Sequence, residues 1–395
     1  MNRTGRRRAL LYTQGLVGVG HTFRVRELAR TLSADFDVHV VDGGRRVPAA
    51  PLPGTVSFTS LSPLYRDAQS LRVTAASGRP IASVLRGRAE SLDATVRRFA
   101  PDLIVVEYFP FQRWELGDEI LDAIACARRQ NPRLRVYCSV RDVPRRPEKP
   151  RECERIAATL NRFFDCVLVH GDERITRLEE HFYPTAPIEV PIVHTGYVVR
   201  RVTEPSPPAG APAGYVVVSA GGGVDALQLM STSAAAWSRL VARGLTGDRQ
   251  MLFFLGPFTP ERDGAGLLEL CAGGPFAVRP FSGDFLHWLH GAQLSISRAG
   301  YNTCAELLCT RVPALLVPGT HASDQVFRAR RFADRGLADT TVAGDGDPGR
   351  FAAAILDCLG RQQVRRNVAV DGADFTREYL ARAAPGQPSS LRTAK

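Results

Sequence analysis

The feature that most constrains the fold is a pattern that occurs twice in the chain. A short apolar run leads into a glycine-rich loop, and a helix with one apolar face follows. The first copy has its apolar run at residues 8–13 and its loop at 14–21, and the second has them at 215–219 and 220–225. Apolar strands that alternate with helices predict a parallel sheet covered by helices. The sequence therefore predicts two successive Rossmann-like α/β halves.

The boundary between the halves is predicted at residues 202–214. This segment is rich in proline, alanine and glycine and has no hydrophobic periodicity, which is typical of a linker. We therefore predict a first domain at 1–201 and a second at 215–369. The sequence leaves open that a helix at about 370–388 packs back on the first domain. We expect 51–80 to be irregular and to face a ligand.

Periodicity and apolar runs place several further elements. They predict helices at 23–32, 81–99, 116–129 and 226–243, and strands at 38–41, 135–139, 166–171, 250–255 and 277–280.

Composition limits the class of protein. The chain has 395 residues, 44% of them hydrophobic, which is enough to bury a large core. The formal net charge of +11 comes almost wholly from arginine, because Lys149 and Lys395 are the only lysines. A basic protein attracts acidic partners such as nucleotides, although we expect most of these arginines on solvated helix faces. No compact basic and aromatic motif occurs, which argues against a nucleic-acid partner.

The eight cysteines show neither a C-x-x-C pair nor histidines at zinc-ligand spacing. Several lie inside apolar runs, which predicts small core side chains in a reducing compartment. The apolar run at 9–12 is too short for a secretory signal, and no run approaches the ~18 residues of a membrane span. We expect a cytoplasmic protein, and peripheral contact with the inner face of the membrane is left open.

Two residues of the first half are candidate bases. His21 lies where the first helix is predicted to begin, and Glu107 ends a buried strand. Ligands bind at the carboxyl ends of parallel strands, although a helix cap would also explain His21 and an acceptor contact would explain Glu107. The glycine spacing at 15–20 is not G-x-G-x-x-G, which argues against a nicotinamide cofactor. An ion pair or a capped loop explains three further candidates equally well: Arg141, Asp142 and His170.

Residues 294–325 carry a dense set of polar groups in the second half. A strand at 294–297, a helix and a strand at 314–317 form a βαβ unit, whose polar groups gather at the carboxyl ends of its strands. The residues concerned are Arg298, Ala299, Gly300 and Glu306, and then His321, Asp324 and Gln325 in a predicted polar loop. A helix N-terminus beside these groups predicts a phosphorylated, hydroxyl-rich ligand, and a nucleotide sugar fits best.

Two such halves, a linker and a nucleotide site in the second half resemble the GT-B glycosyltransferases. This resemblance implies an α/β fold with two Rossmann-like domains facing across a cleft. The chain is similar to glycosyltransferase family 28. Over its whole length it more closely resembles a set of bacterial proteins known only as predicted glycosyltransferases. The motifs concerned are Gly20-His21-x-Phe23, Gly221-Gly222-Gly223, Ser297-Arg298-Ala299-Gly300 with Glu306, and 313–318 followed by His321 and Asp324-Gln325.

The resemblance implies a role for each matched residue. On the acceptor side, His21 matches a histidine at the acceptor, and Gly18 and Gly20 form a phosphate or acceptor loop. The implied donor contacts are Gly222 and Gly223 with the phosphates, the backbone of Ser282 with the uracil edge, Arg298, Ala299 and Gly300 with the diphosphate, Glu306 with the ribose, His321 with the donor, and Asp324 and Gln325 with the sugar hydroxyls. Residues 107–111 replace a glycine loop that binds a lipid diphosphate in the family's best-known member.

We therefore predict an inverting glycosyltransferase that needs neither a metal nor another cofactor. It would move a hexose or amino sugar from a nucleoside-diphosphate sugar, with UDP favoured, to a hydroxyl of a small or lipid-linked acceptor. His21 or Glu107 would be the base. No Asp-x-Asp sequence lies in a suitable loop, so no metal is implied. A nucleotide-sugar 2-epimerase and a non-catalytic nucleotide-sugar-binding protein are the alternatives, and the oligomeric state is not predicted.

Overall fold

The chain forms two compact units, one of Met1–Val198 with Asp371–Lys395 and one of Val199–Val370. The division falls just before the predicted linker at 202–214. The structure is a computed structural model, and it describes residues 5–16, 18, 20–46, 51–67, 70, 72–144, 147, 149–182, 187–200, 202, 206–222, 226–319, 323–341, 347–361 and 367–383.

The first unit is built on a parallel sheet of seven strands, beside which a two-stranded antiparallel hairpin, β4–β5, is formed. The strands are β1 (Arg7–Thr13), β2 (Phe36–Asp42), β3 (Val56–Ser60), β4 (Leu64–Arg66), β5 (Val73–Ala75), β6 (Leu103–Glu107), β7 (Arg135–Arg141), β8 (Cys166–His170) and β9 (Ile192–His194). Across the large sheet their order is β3-β2-β1-β6-β7-β8-β9.

Helices cover both faces of this sheet. They are α1 (Gly20–Leu32), α2 (Ile81–Phe99), α3 (Gly117–Gln130), α4 (Pro150–Phe163) and the C-terminal helix Gly372–Arg382. Side chains alternate along β1, so Leu10 and Tyr12 pack in the core with α2, α3 and α4, whereas Ala9 and Leu11 pack with α1 and the C-terminal helix. Burial on both faces explains why these strands are continuously apolar.

Sequence periodicity located most of this unit. The helix predicted at 81–99 is α2, with the same ends, and β1, β6 and β8 lie where they were predicted. The prediction of an irregular segment at 51–80 is wrong, because β3, β4 and β5 lie there. Strands of three to five residues between prolines and serines are too short for their periodicity to show.

The second unit contains a parallel sheet of six strands in the order β12-β11-β10-β13-β14-β15. Its elements are β10 (Tyr215–Ser219), α5 (Ala226–Ala242), β11 (Gln250–Phe254), α6 (Glu261–Leu270), β12 (Phe276–Arg279), α7 (Phe285–Gly291), β13 (Leu294–Ser297), α8 (Tyr301–Thr310), β14 (Ala314–Leu316), α9 (Ser323–Asp334), β15 (Asp339–Thr340) and α10 (Pro348–Leu359). Its core lies between the sheet and α5 and α10, with the fully buried Trp237 among its members.

One prediction in this unit assigned the wrong secondary structure. Asp324 and Gln325, expected in a polar loop, lie in the first turn of α9. A carboxylate at that place is favoured by the helix dipole, and Asp324 also pairs with Arg328 one turn later. Both groups are therefore held by a helix.

The cysteines lie in the interior as expected. Seven are buried, Cys309 is partly exposed, and all eight are free thiols. Among the residues that the structure describes, no helix combines the length and apolarity that crossing a membrane requires.

Candidate active site

The order of strands in the first unit brings His21 and Glu107 together. The sheet runs β3-β2-β1 in one direction and β6-β7-β8 in the other, so the connections after β1 and β6 diverge at this switch point. His21 is the second residue of α1, directly after the β1 loop, and Glu107 is the last residue of β6. His21 Nδ1 lies 2.7 Å from Glu107 Oε1. Ligand crevices form at such switch points in open α/β sheets.

Two arginines share the Glu107 carboxylate with His21. Arg24 Nη2 donates to Oε1, and Arg113 Nη1 donates to Oε2 at 2.7 Å and to the Glu107 carbonyl at 3.2 Å. The Glu107 side chain is fully buried, and both guanidinium groups are nearly so. Burial alone would raise the pKa of Glu107, but the charges of His21, Arg113 and Arg24 outweigh it and hold that pKa below its usual range.

This arrangement bears on the choice between the two candidate bases. A carboxylate that is buried, ionised and shared by three donors is a poor proton acceptor, so the structure argues against Glu107 as the base. Because an ionised carboxylate only accepts, His21 carries its proton on Nδ1 and keeps a lone pair on Nε2. Burial, opposed by the charge of Glu107 and aided by that of Arg113, lowers the pKa of His21 to about 4. The imidazole is therefore neutral near pH 7.

The turn after β6 brings Arg113 back to Glu107. Tyr108 and Arg113 both have φ in the left-handed region, at 68° and 69°, which non-glycine residues adopt rarely and at some cost. The Tyr108 ring meets the His21 ring edge to face, with centroids 5.1 Å apart. Arg141 Nη2 donates to the Tyr108 hydroxyl at 3.2 Å. The turn thus closes one side of His21 with an aromatic ring.

Sequence reasoning missed Arg24 and Arg113. Arg24 is three residues after His21 on α1, so it shares a helix face with it, and this spacing was a usable signal. Arg113 gave no signal, because its position depends on two residues with positive φ.

The structure gives Asp142 and His170 structural roles. His170 is fully buried, and its ring nitrogens lie 2.9 Å from Ser139 Oγ and 2.8 Å from Thr195 Oγ1. Asp142 is also fully buried and accepts from the Tyr197 hydroxyl at 3.2 Å. These contacts satisfy both side chains within the first unit.

The glycines in the loop after β1 differ in how closely other atoms approach them. A Cβ at Gly15 would lie 2.9 Å from the Gly18 carbonyl oxygen, so this glycine permits a close backbone approach. A Cβ at Gly18 would meet no described atom within 4 Å, and Gly20 begins α1. A phosphate or acceptor contact at Gly18 and Gly20 stays a prediction.

Glu306 is the comparable acid of the second unit. It lies in the second turn of α8, which follows β13, and its side chain is partly buried. Burial raises the pKa of Glu306 to about 7, and no charged neighbour contributes to this shift. Within the described part of the chain, the Glu306 carboxylate takes part in no hydrogen bond or ion pair. It therefore retains its full capacity to accept hydrogen bonds from a ligand.

The start of α8 is open in the way a diphosphate site requires. Gly300 occupies the N-cap position, and no described side chain caps the helix. A Cβ at Gly300 or at Gly222, in the loop after the neighbouring strand β10, would meet no described atom within 4 Å. The helix N-terminus carries a partial positive charge. Ala299, which precedes Gly300, is fully buried.

The two arginines near this site face backbone carbonyls. Arg298 Nη1 donates to the carbonyls of Val317 and Pro318 at 3.2 and 3.4 Å, so it braces the loop after β14. Direct contact of Arg298 with a diphosphate is not supported by this geometry. Arg328, absent from the sequence predictions, donates to the Ala299 carbonyl at 2.7 Å and to Asp324 Oδ2 at 3.3 Å. Its spacing of four residues from Asp324 was the available signal.

Two further donor candidates make local contacts. Gln325 Oε1 accepts from the Gly319 amide at 3.1 Å, and Ser282 Oγ accepts from the Asp284 amide at 3.0 Å. Their contacts with a sugar or a base stay predictions. Gly223 and His321 lie outside the described residues. Among the described side chains, no cluster of three or more His, Cys, Asp or Glu could hold a metal ion.

Comparison with known proteins agrees with both sheets and with the resemblance to family 28. Residues 263–371 match the glycosyltransferase family 28 C-terminal domain. The crystal structure of MurG from Acinetobacter baumannii has a TM-score of 0.54 at 17% identity and covers 94% of this chain and 95% of that one. The chain has the GT-B fold and resembles glycosyltransferase family 28. The prediction of two Rossmann-like domains is confirmed.

One relative in sequence is the UDP-N-acetylglucosamine--N-acetylmuramyl-(pentapeptide) pyrophosphoryl-undecaprenol N-acetylglucosamine transferase of Gloeothece citriformis. It is 27% identical over 188 residues, which are 47% of this GT-B chain and 44% of that relative. The chain thus spans less than half the length of the relative. The UDP-GlcNAc 2-epimerase of Methanocaldococcus jannaschii also shares the fold, with a TM-score of 0.57 at 10% identity and coverage of 95% of this chain and 99% of that one.

Proposed function

We propose that the protein is an inverting glycosyltransferase. It would move a hexose or amino sugar from a nucleoside-diphosphate sugar, with UDP as the favoured nucleotide, to a hydroxyl of an acceptor. The donor half of this proposal is supported by the family 28 domain at 263–371 and by the relative that uses UDP-N-acetylglucosamine.

The observation that carries catalysis is the contact between His21 Nδ1 and Glu107. It fixes the tautomer and the ring orientation, so that Nε2 is the atom left to take a proton. A protein that only binds a nucleotide sugar needs Glu306 but has no use for an oriented base. Inverting transfer needs such a base, because the acceptor hydroxyl must lose its proton as it attacks the anomeric carbon.

The donor would lie at the carboxyl edge of the second sheet. An ionised Glu306 can accept hydrogen bonds from both ribose hydroxyls, and the α8 N-terminus at Gly300 would stabilise the departing diphosphate. Asp324 and Gln325, in the first turn of α9, would form hydrogen bonds with the hydroxyls of the sugar. Arg328 would hold Asp324 in place through their ion pair.

A panel of nucleotide sugars, each incubated with and without acceptor mixtures, tests this proposal. A glycosyltransferase releases nucleoside diphosphate quickly only when an acceptor is present. An epimerase releases nucleotide or converts the sugar at the same rate without an acceptor, and a binding protein changes neither. If nucleotide release were independent of every acceptor and a 2-epimerised sugar appeared, the protein would be an epimerase and the proposed transferase activity would be wrong.

A further inference from the structure

Arg328 is among the largest fully buried side chains that the structure describes. It lies in the second turn of α9, and its side chain is 1% exposed. A buried guanidinium group is costly unless hydrogen bonds and a counter-charge compensate it. Arg328 Nη1 donates to Asp324 Oδ2 at 3.3 Å within α9, and it donates to the Ala299 carbonyl at 2.7 Å. The second bond therefore connects α9 to the turn before α8.

The turn before α8 and the segment that leads to α9 lie at the same edge of the second sheet. β13 and β14 are parallel neighbours, with Ser297 in register with Leu316. The turn at 298–300 follows β13, and the segment at 317–319 follows β14. Because the carboxyl ends of parallel strands meet at one edge of a sheet, these two segments and the first turn of α9 are close together.

Each of these three segments is bonded to the other two. The turn is joined to the segment at 317–319 by Arg298, which donates to two carbonyls of that segment. The segment is joined to α9 by Gln325, whose Oε1 accepts from an amide at 3.1 Å. Arg328 completes the set, because it joins α9 to the turn at Ala299. The turn is thus held from two sides.

We propose that Arg328 is a positioning residue that holds the turn at Ala299 and Gly300 in place for the donor diphosphate, an inference that rests on the proposed function. The Arg328 side chain is too buried to contact a ligand, so it acts through the Ala299 carbonyl. Gly300, the next residue, occupies the N-cap position of α8. Amides at such a helix N-terminus bind phosphate groups, and a displacement of ~1 Å weakens contacts of this kind strongly.

A buried arginine can also have a purely structural role, and Arg88 of the first unit offers a matched case. Like Arg328, it is 1% exposed and has a carboxylate and a carbonyl as partners. Its Nη2 donates to Glu119 Oε1 at 2.7 Å, and its Nη1 donates to the Ser62 carbonyl at 2.8 Å. Of the two arginines, Arg328 alone has a carbonyl partner next to the helix N-terminus that would bind the diphosphate. Arg88→Gln is therefore the control for loss of a buried arginine.

Binding of UMP and UDP to the full chain, measured by calorimetry, tests the proposal without an acceptor. The two ligands differ by one phosphate, so the ratio of their dissociation constants reports the contribution of that phosphate. We expect UDP to bind more tightly than UMP in the wild type. Arg328→Gln should reduce this advantage by about tenfold and change the affinity for UMP by less than about threefold. Arg88→Gln should leave the advantage within about twofold of the wild type.

Several results would overturn the proposal while leaving the proposed function standing. They are an unchanged advantage of UDP in Arg328→Gln, an equal loss of UMP and UDP affinity in that variant, and the same loss of the advantage in Arg88→Gln. A wild type that binds UMP as tightly as UDP would also overturn it, because the turn would then contribute nothing to binding of the second phosphate. Failure of the wild type to bind either nucleotide would count against the proposed function itself.

Arg328→Lys decides the question if Arg328→Gln does not fold. The lysine keeps the positive charge, but its side chain is shorter and lacks the planar guanidinium group. We expect the advantage of UDP over UMP to fall by at least about threefold in this variant, with the affinity for UMP retained. An advantage equal to that of the wild type would overturn the proposal.

Discussion

Glu107 and Glu306 both lie near the carboxyl edge of a parallel sheet, yet their surroundings are opposite. Glu107 is fully buried and contacts two arginines and a histidine, which hold its pKa low. Glu306 is partly buried, and burial raises its pKa to about 7 with no contribution from a charged group among the described residues. The first carboxylate is satisfied within the protein, and the second retains its bonding capacity. Under the proposed function, the comparison teaches that a carboxylate satisfied by protein partners can orient His21, whereas one that keeps its capacity to accept hydrogen bonds can bind a ligand.

The largest effect on stability should come from Glu107. Glu107→Gln removes the buried carboxylate that Arg24, Arg113 and His21 share, so we expect the free energy of unfolding at pH 7 to fall by about 3–5 kcal/mol. Urea titration measures this change. Glu115→Gln is the matched control, because it breaks one exposed ion pair, with Arg66, and should cost no more than ~1 kcal/mol. Similar losses in the two variants would contradict the account of the buried cluster.

Donor binding should depend on pH through Glu306. Below pH 7 its carboxyl takes up a proton and loses part of its capacity to accept from ribose hydroxyls, so the KM for the donor should rise up to about tenfold per pH unit. His21, with a pKa of about 4, does not titrate between pH 6 and 8. The KM of Glu306→Gln should be high and independent of pH over this range. A wild-type KM that is constant from pH 6 to 8 would contradict this role.

The stability effect of Glu306→Gln should have the opposite sign to that of Glu107→Gln. Because the folded protein raises the pKa of Glu306, its ionisation opposes folding as pH rises from about 4.5 to 7. Above pH 7 the amide should therefore stabilise the unliganded protein by ~1 kcal/mol, a modest figure because the side chain retains solvent contact. Thermal unfolding at pH 8 measures this change. Destabilisation would indicate a partner for Glu306 that this account does not include.

The smallest effect is expected at Ser282. The resemblance implies that its backbone contacts the nucleotide base, and its hydroxyl oxygen accepts a hydrogen bond from the Asp284 amide two residues later. Ser282→Ala should lower stability by ~0.5–1 kcal/mol and change donor affinity by less than about threefold. Calorimetry with UDP measures the affinity. A loss of tenfold or more would show that the hydroxyl itself contacts the nucleotide.

The sequence predicted elements well where an apolar run or a helical period is long. The strand at 215–219 and the helix at 81–99 have the predicted ends. Four helices were missed, namely α4, α6, α9 and α10, although α4 had a clear signal: it begins with Pro150 and buries Cys153, Ile156 and Leu160 at helical spacing. The helical spacing of the apolar residues in α4 was therefore sufficient to predict this helix.

The candidate site was predicted less completely, for a physical reason. Local spacing placed His21 at the start of α1, and the family motif placed Glu306. The partners of Glu107 depend on which strands become neighbours and on a turn with positive φ at Tyr108 and Arg113. Neither property is encoded in local periodicity. The choice between His21 and Glu107 therefore needed the three-dimensional contacts.

The most direct test of the account is the rate of UDP release from UDP-N-acetylglucosamine, measured in the wild type and in His21→Ala with and without an acceptor that the incubations with acceptor mixtures have identified. We predict that the acceptor stimulates release in the wild type. In the variant the stimulated rate should fall by about 10²- to 10⁴-fold, with the donor KM unchanged. Full acceptor-stimulated release by His21→Ala would contradict the assignment of His21 as the base.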